Sequence, residues 1–185
     1  MDEIARLAGI SKGALYLEFE SKSDLILTLS SWYSEQLNRQ FSQALTAPLS
    51  GLGIMREFGA IYLRFVHENP LFISTIYVYQ RAVMEGKTEE LPSYMQCKTL
   101  EQDAMTLVVR AAQIGIQDGS IVSKVDPKTL GLLIFAGFKG LTDLLNTTTG
   151  ITGSGVSGSI ISNDLNNFEE MMTIFMGIME RGISA

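Results

Sequence analysis

The residue types that most often carry out catalysis are scarce in this chain. Its 185 residues include one histidine, His67, and one cysteine, Cys97. A nucleophile, base and acid set cannot be assembled from these two, and no HExxH or GxSxG motif is present. One thiol can form neither an internal disulfide nor a cysteine-rich zinc site. We therefore predict that the protein is not an enzyme and uses no metal or cofactor, although a mechanism built on lysine or carboxylates stays open.

Charge and composition restrict the functions and the cellular locations that remain possible for this protein. Apolar residues make up 46% of the chain, enough for a sizeable core, while charged residues make up only 18%. The 14 basic and 20 acidic residues give a formal net charge of −6, so any contact with nucleic acid must come from a local patch. The longest apolar run, 131–138, is too short to cross a bilayer, and the first residues lack the pattern of a secretory leader. We expect a cytoplasmic protein without membrane contact.

Signals for helix starts and ends dominate the chain, and no strand pattern is found. Ser11 and Ser21 are placed to cap helices, and the pairs Asn69-Pro70 and Asp126-Pro127 are typical of helix starts. The predicted helices cover residues 1–8, 12–17, 54–68, 70–84, 93–117 and 128–146. A further long helix begins at 21 and is broken by Pro48 and the GLG at 51–53. The last helix runs from a cap at Asn163 or Asp164 to 182. A Gly/Ser/Thr-rich connector is predicted over 147–162. The fold class is all-α.

The first 25 residues carry the strongest functional signal. Two short helices joined by Gly9-Ile10-Ser11 fit a helix-turn-helix, in which a tight glycine-containing turn sets two helices at a steep angle. A third helix, beginning after Ser21, would brace the pair. Such a unit projects one short helix into the major groove while its partner crosses the DNA backbone. The prediction is an N-terminal helix-turn-helix followed by a larger helical domain.

The run IARLAGISKGALYLEFESKSDLI resembles the helix-turn-helix of TetR-family transcriptional regulators. The similarity covers Ile4-Ala5, Ala8-Gly9, Ser11-Lys12-Gly13, Leu15-Tyr16, Phe19, Ser21-Lys22 and Leu25. The later segments 115–121 and 125–141 are similar in layout to the ligand-binding and dimerisation domain of that family. The resemblance implies a DNA-binding domain with its connecting helix over residues 1–45, and a helical ligand-binding and dimerisation domain over residues 46–185.

The same resemblance implies which residues contact double-stranded operator DNA. Ser11, Lys12 and Gly13 would lie at the start of the recognition helix and face the DNA. Tyr16 would reach a phosphate or a base edge, and Lys22 would contact phosphate. Phosphate contacts mostly set the register of the protein on the duplex, and added salt weakens them.

Two features depart from the family pattern. Family members usually carry a further helix, often basic, before the position of Asp2. The sequence begins at Met1 without it, so either the start is misassigned or truncated, or the DNA-binding unit is incomplete. Residues 1–24 also hold three basic and five acidic residues, a net charge of −2, which is unfavourable for a DNA-binding unit. Two functions are therefore carried forward. One is a repressor released from its operator by a small apolar ligand, and the other is a dimeric small-molecule-binding or interaction protein of the same ancestry that no longer binds DNA.

The segment 52–145 is rich in aromatic and methionine side chains. A ligand-responsive regulator needs a second site whose ligand favours one conformation over another. We predict that some of these side chains line a pocket for a small apolar or aromatic molecule. The candidates are Tyr62, Phe65, Tyr77, Met105, Phe135 and Phe138; the alternative is that they are ordinary core residues.

The last two long helices are the predicted homodimer surface. Apolar residues recur at three- and four-residue steps along the final helix, and two glycines in the preceding helix would let another backbone approach closely. Two helices from each subunit would form a four-helix bundle across a two-fold axis. The predicted interface consists of Gly137, Gly140, Leu144, Phe168, Met172, Phe175 and Met179; the alternative is that the stripe forms an intramolecular core.

Overall fold

The structure is a computed structural model that describes residues 1–86, 91–122, 124–148 and 165–184. Within these ranges the chain forms eight helices and no strand, which confirms the all-α prediction; Ile121 and Ser184 make an isolated antiparallel bridge. The helices are α1 (Asp2–Ala8), α2 (Lys12–Glu18), α3 (Lys22–Leu45), α4 (Gly51–Glu68), α5 (Phe72–Met84), α6 (Pro92–Gln117), α7 (Pro127–Thr148) and α8 (Leu165–Ile183).

The short helices α1 and α2 pack on each other at the N-terminus, while α3 to α8 enclose the main core. Helix α3 lies along α6, and α6 lies along α7; α8 packs against α4 and α7. Aromatic rings fill much of this core, with Phe41 stacked on Phe58 at 4.5 Å between ring centroids and Phe65 edge-on to Phe72 at 5.0 Å. Because α3 starts directly after α2 and ends inside the main core, one helix belongs to both parts of the molecule.

Local sequence explains most helix boundaries. The Ser11 hydroxyl accepts a hydrogen bond from Ala14 N at 3.0 Å and starts α2, and the Ser21 hydroxyl accepts from Asp24 N at 3.1 Å and starts α3. A carboxylate oxygen of Asp126 accepts from Thr129 N at 3.1 Å at the start of α7. In the described part of the chain, no helix combines the length and apolar character that a membrane crossing requires.

Two predicted helix starts are wrong. Helix α4 begins at Gly51 rather than Ile54, because Ser50 caps it and its first turn lies against α6, where a Cβ on Gly51 would overlap the backbone of Gly115. Helix α5 begins at Phe72 rather than Pro70, since Asn69 instead ends α4, its side-chain amide donating to Phe65 O at 2.9 Å. From residue 149 onward the predicted connector lies outside the described residues, as do the predicted caps Asn163 and Asp164.

Candidate functional site

The N-terminal unit is held together by a small buried contact and a left-handed turn. Ala5 of α1 and Leu15 of α2 are both buried, while most of the other side chains of these helices are exposed. Gly9 ends α1 with a φ of 68°, a conformation that residues with a Cβ rarely adopt. A turn of three residues with a left-handed glycine thus separates α1 from α2, as in a helix-turn-helix.

The residues predicted to contact DNA are all exposed on this unit. Ser11, Lys12, Gly13 and Tyr16 lie on α2 or at its cap, and Lys22 is the first residue of α3. At Gly13 a Cβ would meet nothing closer than the Ser11 hydroxyl at 3.9 Å, so the protein's own packing does not require a glycine there. The surface around Gly13 is therefore open to an outside molecule.

The ammonium group of Lys12 is paired within the same unit. It lies 2.9 Å from one carboxylate oxygen of Asp2 and 3.0 Å from the other, and 5.9 Å from the centre of the Tyr16 ring. The hydrogen bond between the two side chains lowers the pKa of Asp2 and raises the pKa of Lys12. Both groups are exposed, so the pair is easily exchanged for a phosphate contact.

A polar contact that the sequence analysis did not predict joins the helix-turn-helix to the larger helical part of the molecule, α3 to α8, which we call the body. The Ser93 hydroxyl, in the first turn of α6, donates to one oxygen of Asp24 at 2.6 Å, while Glu20 N donates to the other at 3.0 Å. The side chains of Ser93 and Asp24 are buried. Further along, the Asn38 side chain donates to Leu100 O at 2.8 Å, so polar contacts recur along the α3–α6 packing.

A cavity of about 150 Å³ lies inside the body, between α3, α4, α5, α6 and α7. Its walls are mostly apolar, and its side chains come from all five helices. Helix α3 contributes Ser30, Leu37 and Phe41, so the helix that begins beside the helix-turn-helix also forms one wall of the cavity.

Three of the six predicted pocket residues, Tyr62, Phe135 and Phe138, line the cavity, and the other three do not. Phe65 is buried elsewhere in the core, against Tyr33 and Phe72. Tyr77 and Met105 sit one helical position away from lining residues, since Ile76 and Ala104 face the cavity in their place. One position turns a side chain by about 100° around the helix axis, which is enough to remove it from the wall.

The cavity wall includes a hydrogen-bonded cluster of Tyr79, Glu101 and Lys139, which we call the polar end. Glu101 of α6 accepts a hydrogen bond from the Tyr79 hydroxyl at 3.0 Å, and Lys139 of α7 donates to the other oxygen of the same carboxylate. Elsewhere in the wall the hydroxyls of Tyr62 and Thr142 lie 2.5 Å apart, and burial raises the pKa of Tyr62 to about 12. Sequence reasoning missed Glu101 and Lys139, because a charged pair between two helices leaves no periodic signal in either helix.

The predicted dimer residues separate into two groups. Phe168 and Met172 are buried inside the subunit's own core, and Phe175 and Met179 pack against that core. Gly137 serves the same packing, since a Cβ there would overlap the Phe175 ring. Phe168 and Met172 thus belong to the subunit's own core, whereas Gly137, Phe175 and Met179 are only partly buried and stay predicted interface positions.

The other two predicted positions lie on an exposed apolar surface of α7 and α8. A Cβ on Gly140 would meet no atom within 4 Å, and Leu144 is 44% exposed. Large exposed apolar side chains share these helices, namely Leu132, Leu133, Ile174 and Ile178. This set, with Gly140 and Leu144, is called the α7–α8 face below.

Neither of the two reactive side-chain types has a catalytic setting. His67 is exposed, with its Nδ1 3.4 Å from a carboxylate oxygen of Glu169. Cys97 is buried, its thiol donates to Leu27 O at 3.2 Å, and burial raises the pKa of that thiol to about 11. Among the described residues, no three His, Cys, Asp or Glu side chains are grouped so as to hold a metal ion.

Comparisons with known proteins agree with this geometry. Residues 1–29, which hold α1, α2 and the start of α3, match the family model described as bacterial regulatory proteins, tetR family. No curated protein matches the sequence significantly.

Solved structures share the whole fold. The ketosteroid transcriptional regulator KstR2 of Mycobacterium tuberculosis is 15% identical with a TM-score of 0.64, over 100% of this chain and 84% of that one. The TetR family transcriptional regulator PfmR from Thermus thermophilus is 19% identical with a TM-score of 0.64, over 97% and 86%. A protein of unknown function from Rhodococcus sp. RHA1 is 20% identical with a TM-score of 0.63, over 99% and 84%. Residues 1–29 therefore resemble the helix-turn-helix of the tetR family, and the chain as a whole shares the fold of these solved structures.

Proposed function

We propose that this protein is a homodimeric transcriptional repressor that binds a double-stranded DNA operator through α2 and leaves it when a small molecule fills the cavity in its body. Ser11, Lys12, Gly13, Tyr16 and Lys22 form the DNA contact in this proposal. The match of residues 1–29 to the tetR family model supports DNA binding, and the exposure of all five residues leaves them accessible to a duplex.

The observation that carries the proposal is the continuity of α3. This helix runs without a break from Lys22, beside the recognition helix, to Leu45 in the body. Asp24 ties its first turn to α6, and Leu37 and Phe41 form part of the cavity wall. Because a helix moves as a stiff rod, a ligand that displaces the wall changes the position of α2 as well. A shift of α2 changes DNA affinity only if the ligand favours one of the two arrangements.

The dimer is proposed to form through the α7–α8 face. Exposed Leu133 and Ile178 would be removed from water by a second subunit, which is favourable at about 25 cal/mol per Å² of apolar area. Gly140 lies in a helix interior with nothing packed on it, and a glycine there costs about 1 kcal/mol relative to alanine. A close approach by the partner's backbone would explain why that position lacks a side chain.

DNA binding is tested by fluorescence anisotropy with a labelled duplex from the region upstream of the gene. The wild-type chain is expected to bind it, and Lys12→Ala to weaken binding and lower the salt slope by about one. Lys128→Ala, which removes an exposed lysine from the first turn of α7, is the matched control and is expected to change neither. Equal effects of the two substitutions would contradict the contact assignment.

A second function is favoured by one observation, the electrostatics of the N-terminal unit. Residues 1–24 have a net charge of −2, and Asp2 holds the ammonium of Lys12. The protein would then be a dimeric ligand-binding protein that does not bind DNA. The same anisotropy measurement separates the two functions, because this alternative predicts no binding to any duplex at low salt.

A further inference from the structure

The polar end of the cavity is a balanced pair of opposite charges. Among the described residues that line the cavity, Glu101 and Lys139 are the two that carry a charge at neutral pH. They are bonded to each other, so their charges cancel at the cavity wall. The nearby acid Asp143 does not line the cavity, and it accepts a hydrogen bond from the Gln80 side chain.

The paired charges of Glu101 and Lys139 are expected to select ligands by their charge. An anion would have to displace Glu101 from Lys139, and a cation would have to displace Lys139 from Glu101. In either case one charge of the pair would lose its partner in a half-buried site, which is costly. A neutral ligand leaves the pair intact, and its polar group can use the hydrogen-bonding capacity that the pair does not use.

Both Glu101 and Lys139 can form further hydrogen bonds. A lysine ammonium has three N–H donors, and among the described residues Lys139 spends one of them on Glu101. Each carboxylate oxygen of Glu101 accepts one bond, from Tyr79 or from Lys139, and has a further lone pair. A hydroxyl group both donates and accepts. It therefore suits a place where a donor and an acceptor stand side by side.

The rest of the cavity is suited to an aromatic ring of a ligand. Phe41, Phe58, Phe72, Phe135 and Phe138 contribute aromatic walls. An apolar cavity of about 150 Å³ is large enough for a benzene ring. Aromatic walls together with a donor–acceptor pair describe a ligand with one aromatic ring and one hydroxyl.

We infer that the cavity binds a small neutral phenol, with its ring among the phenylalanines and its hydroxyl bridging Glu101 and Lys139. This inference rests on the proposed function, in which the cavity is the effector site, and it names the class of effector. It makes Glu101 and Lys139 the residues that determine specificity, and the aromatic residues the source of most of the affinity.

The test compares four probes that share a tolyl ring: 4-methylphenol, toluene, 4-methylbenzoate and 4-methylbenzylammonium. Binding is measured by isothermal titration calorimetry. We expect 4-methylphenol to bind about tenfold more tightly than toluene, because its hydroxyl bonds to charged groups. Both ions are expected to bind more weakly than 4-methylphenol. Tight binding of either ion, equal binding of toluene, or no binding of any probe would overturn the inference.

A pair of substitutions removes the polar end while keeping its volume. Glu101→Leu combined with Lys139→Met is expected to abolish the advantage of 4-methylphenol over toluene while toluene still binds. The control is Glu35→Leu with Arg39→Met, which removes an exposed pair 3.4 Å apart on α3 and is expected to leave the order of the probes unchanged. Loss of the advantage in the control pair, or its persistence in the cavity pair, would contradict the inference. The DNA measurement uses no probe, so a chain that binds its operator but no phenol refutes this inference alone.

Discussion

The hydroxyl of Ser93 donates a 2.6 Å hydrogen bond to the carboxylate of Asp24, across 69 positions of the sequence. Asp24 stands in the first turn of α3, and its other oxygen accepts from Glu20 N in the turn after α2. Ser93 stands in the first turn of α6, which also lines the cavity. One buried carboxylate thus joins the helix-turn-helix to a wall of the proposed effector site.

Removing the Ser93 hydroxyl tests that connection. Ser93→Ala leaves one oxygen of a buried carboxylate without its donor, so we expect it to lower the free energy of unfolding by about 1–3 kcal/mol. Chemical denaturation followed by circular dichroism measures the change. Ser23→Ala, an exposed serine in the same turn of α3 as Asp24, is the control and is expected to cost much less. Similar losses in the two variants would mean that the hydrogen bond does not stabilise the fold.

Gly13 offers a substitution with opposite effects on stability and on DNA binding. It lies in the first turn of α2 with room for a side chain, so Gly13→Ala is expected to stabilise the chain by about 0.5–1 kcal/mol through helix propensity alone. The same methyl group would stand between α2 and the duplex, so DNA affinity is expected to fall.

Thermal denaturation and anisotropy on the same preparation check both effects. Gly182→Ala, at another helical glycine with open space around it, is the control for the second effect and is expected to leave DNA affinity unchanged. A Gly13→Ala variant that binds DNA as well as the wild type would remove Gly13 from the contact.

The buried thiol of Cys97 predicts a dependence of stability on pH. Burial raises the pKa of this thiol from its ordinary 9.0 to about 11 in the folded chain. Between these two values the unfolded chain loses its thiol proton while the folded chain keeps it, so the unfolded state is favoured as the pH rises. We expect the free energy of unfolding to fall from about pH 9 to about pH 11.

To isolate the contribution of this thiol, the wild type is compared with Cys97→Ala in urea titrations at several pH values. The fall that depends on Cys97 is the difference between the two curves. It is expected to be absent below about pH 9 and complete near pH 11, the folded-state pKa; parallel curves would show that the thiol has an ordinary pKa.

The α7–α8 face predicts which substitutions disrupt the dimer. Ile178→Lys places a charge on an exposed apolar surface, where burial by a second subunit would strand it. We expect this variant to sediment as a monomer at concentrations where the wild type is a dimer. Met84→Lys, at an 86% exposed methionine on α5, is the matched control and is expected to stay dimeric. A dimeric Ile178→Lys would place the interface elsewhere.

The sequence predicts those features whose causes are local. Ser11 and Ser21 cap helices by bonding to amides three residues ahead, and such spacing is visible in the sequence. The start of α4 has a local cap too, since Ser50 accepts from Gly53 N, but the glycines at 51 and 53 are typical of a break. The reason that a glycine stands at 51 is distant: Gly51 lies against Gly115, and nothing near Gly51 in the sequence reveals that contact.

Periodicity identifies the apolar stripe of α8, but it does not show whether that stripe packs on the same subunit or on a second one. Phe168 and Met172 recur at helical spacing, which a subunit's own core and a dimer surface satisfy equally well; the packing of α8 on α4 and α7 decides between them. In the same way, aromatic composition points to the body as the place of a pocket. It cannot show that Glu101 and Lys139 meet at one end, since they lie on different helices.

The central claim is that two copies of α2 face successive turns of the major groove from one dimer. A spin label at Leu17→Cys, an 87% exposed position on α2, in a Cys97→Ala background measures their separation by pulsed dipolar spectroscopy. In the complex with operator DNA we predict a main distance near one helical turn of DNA, roughly 34–36 Å. A complex without dipolar coupling, or with a separation that matches no whole number of turns, would contradict the account.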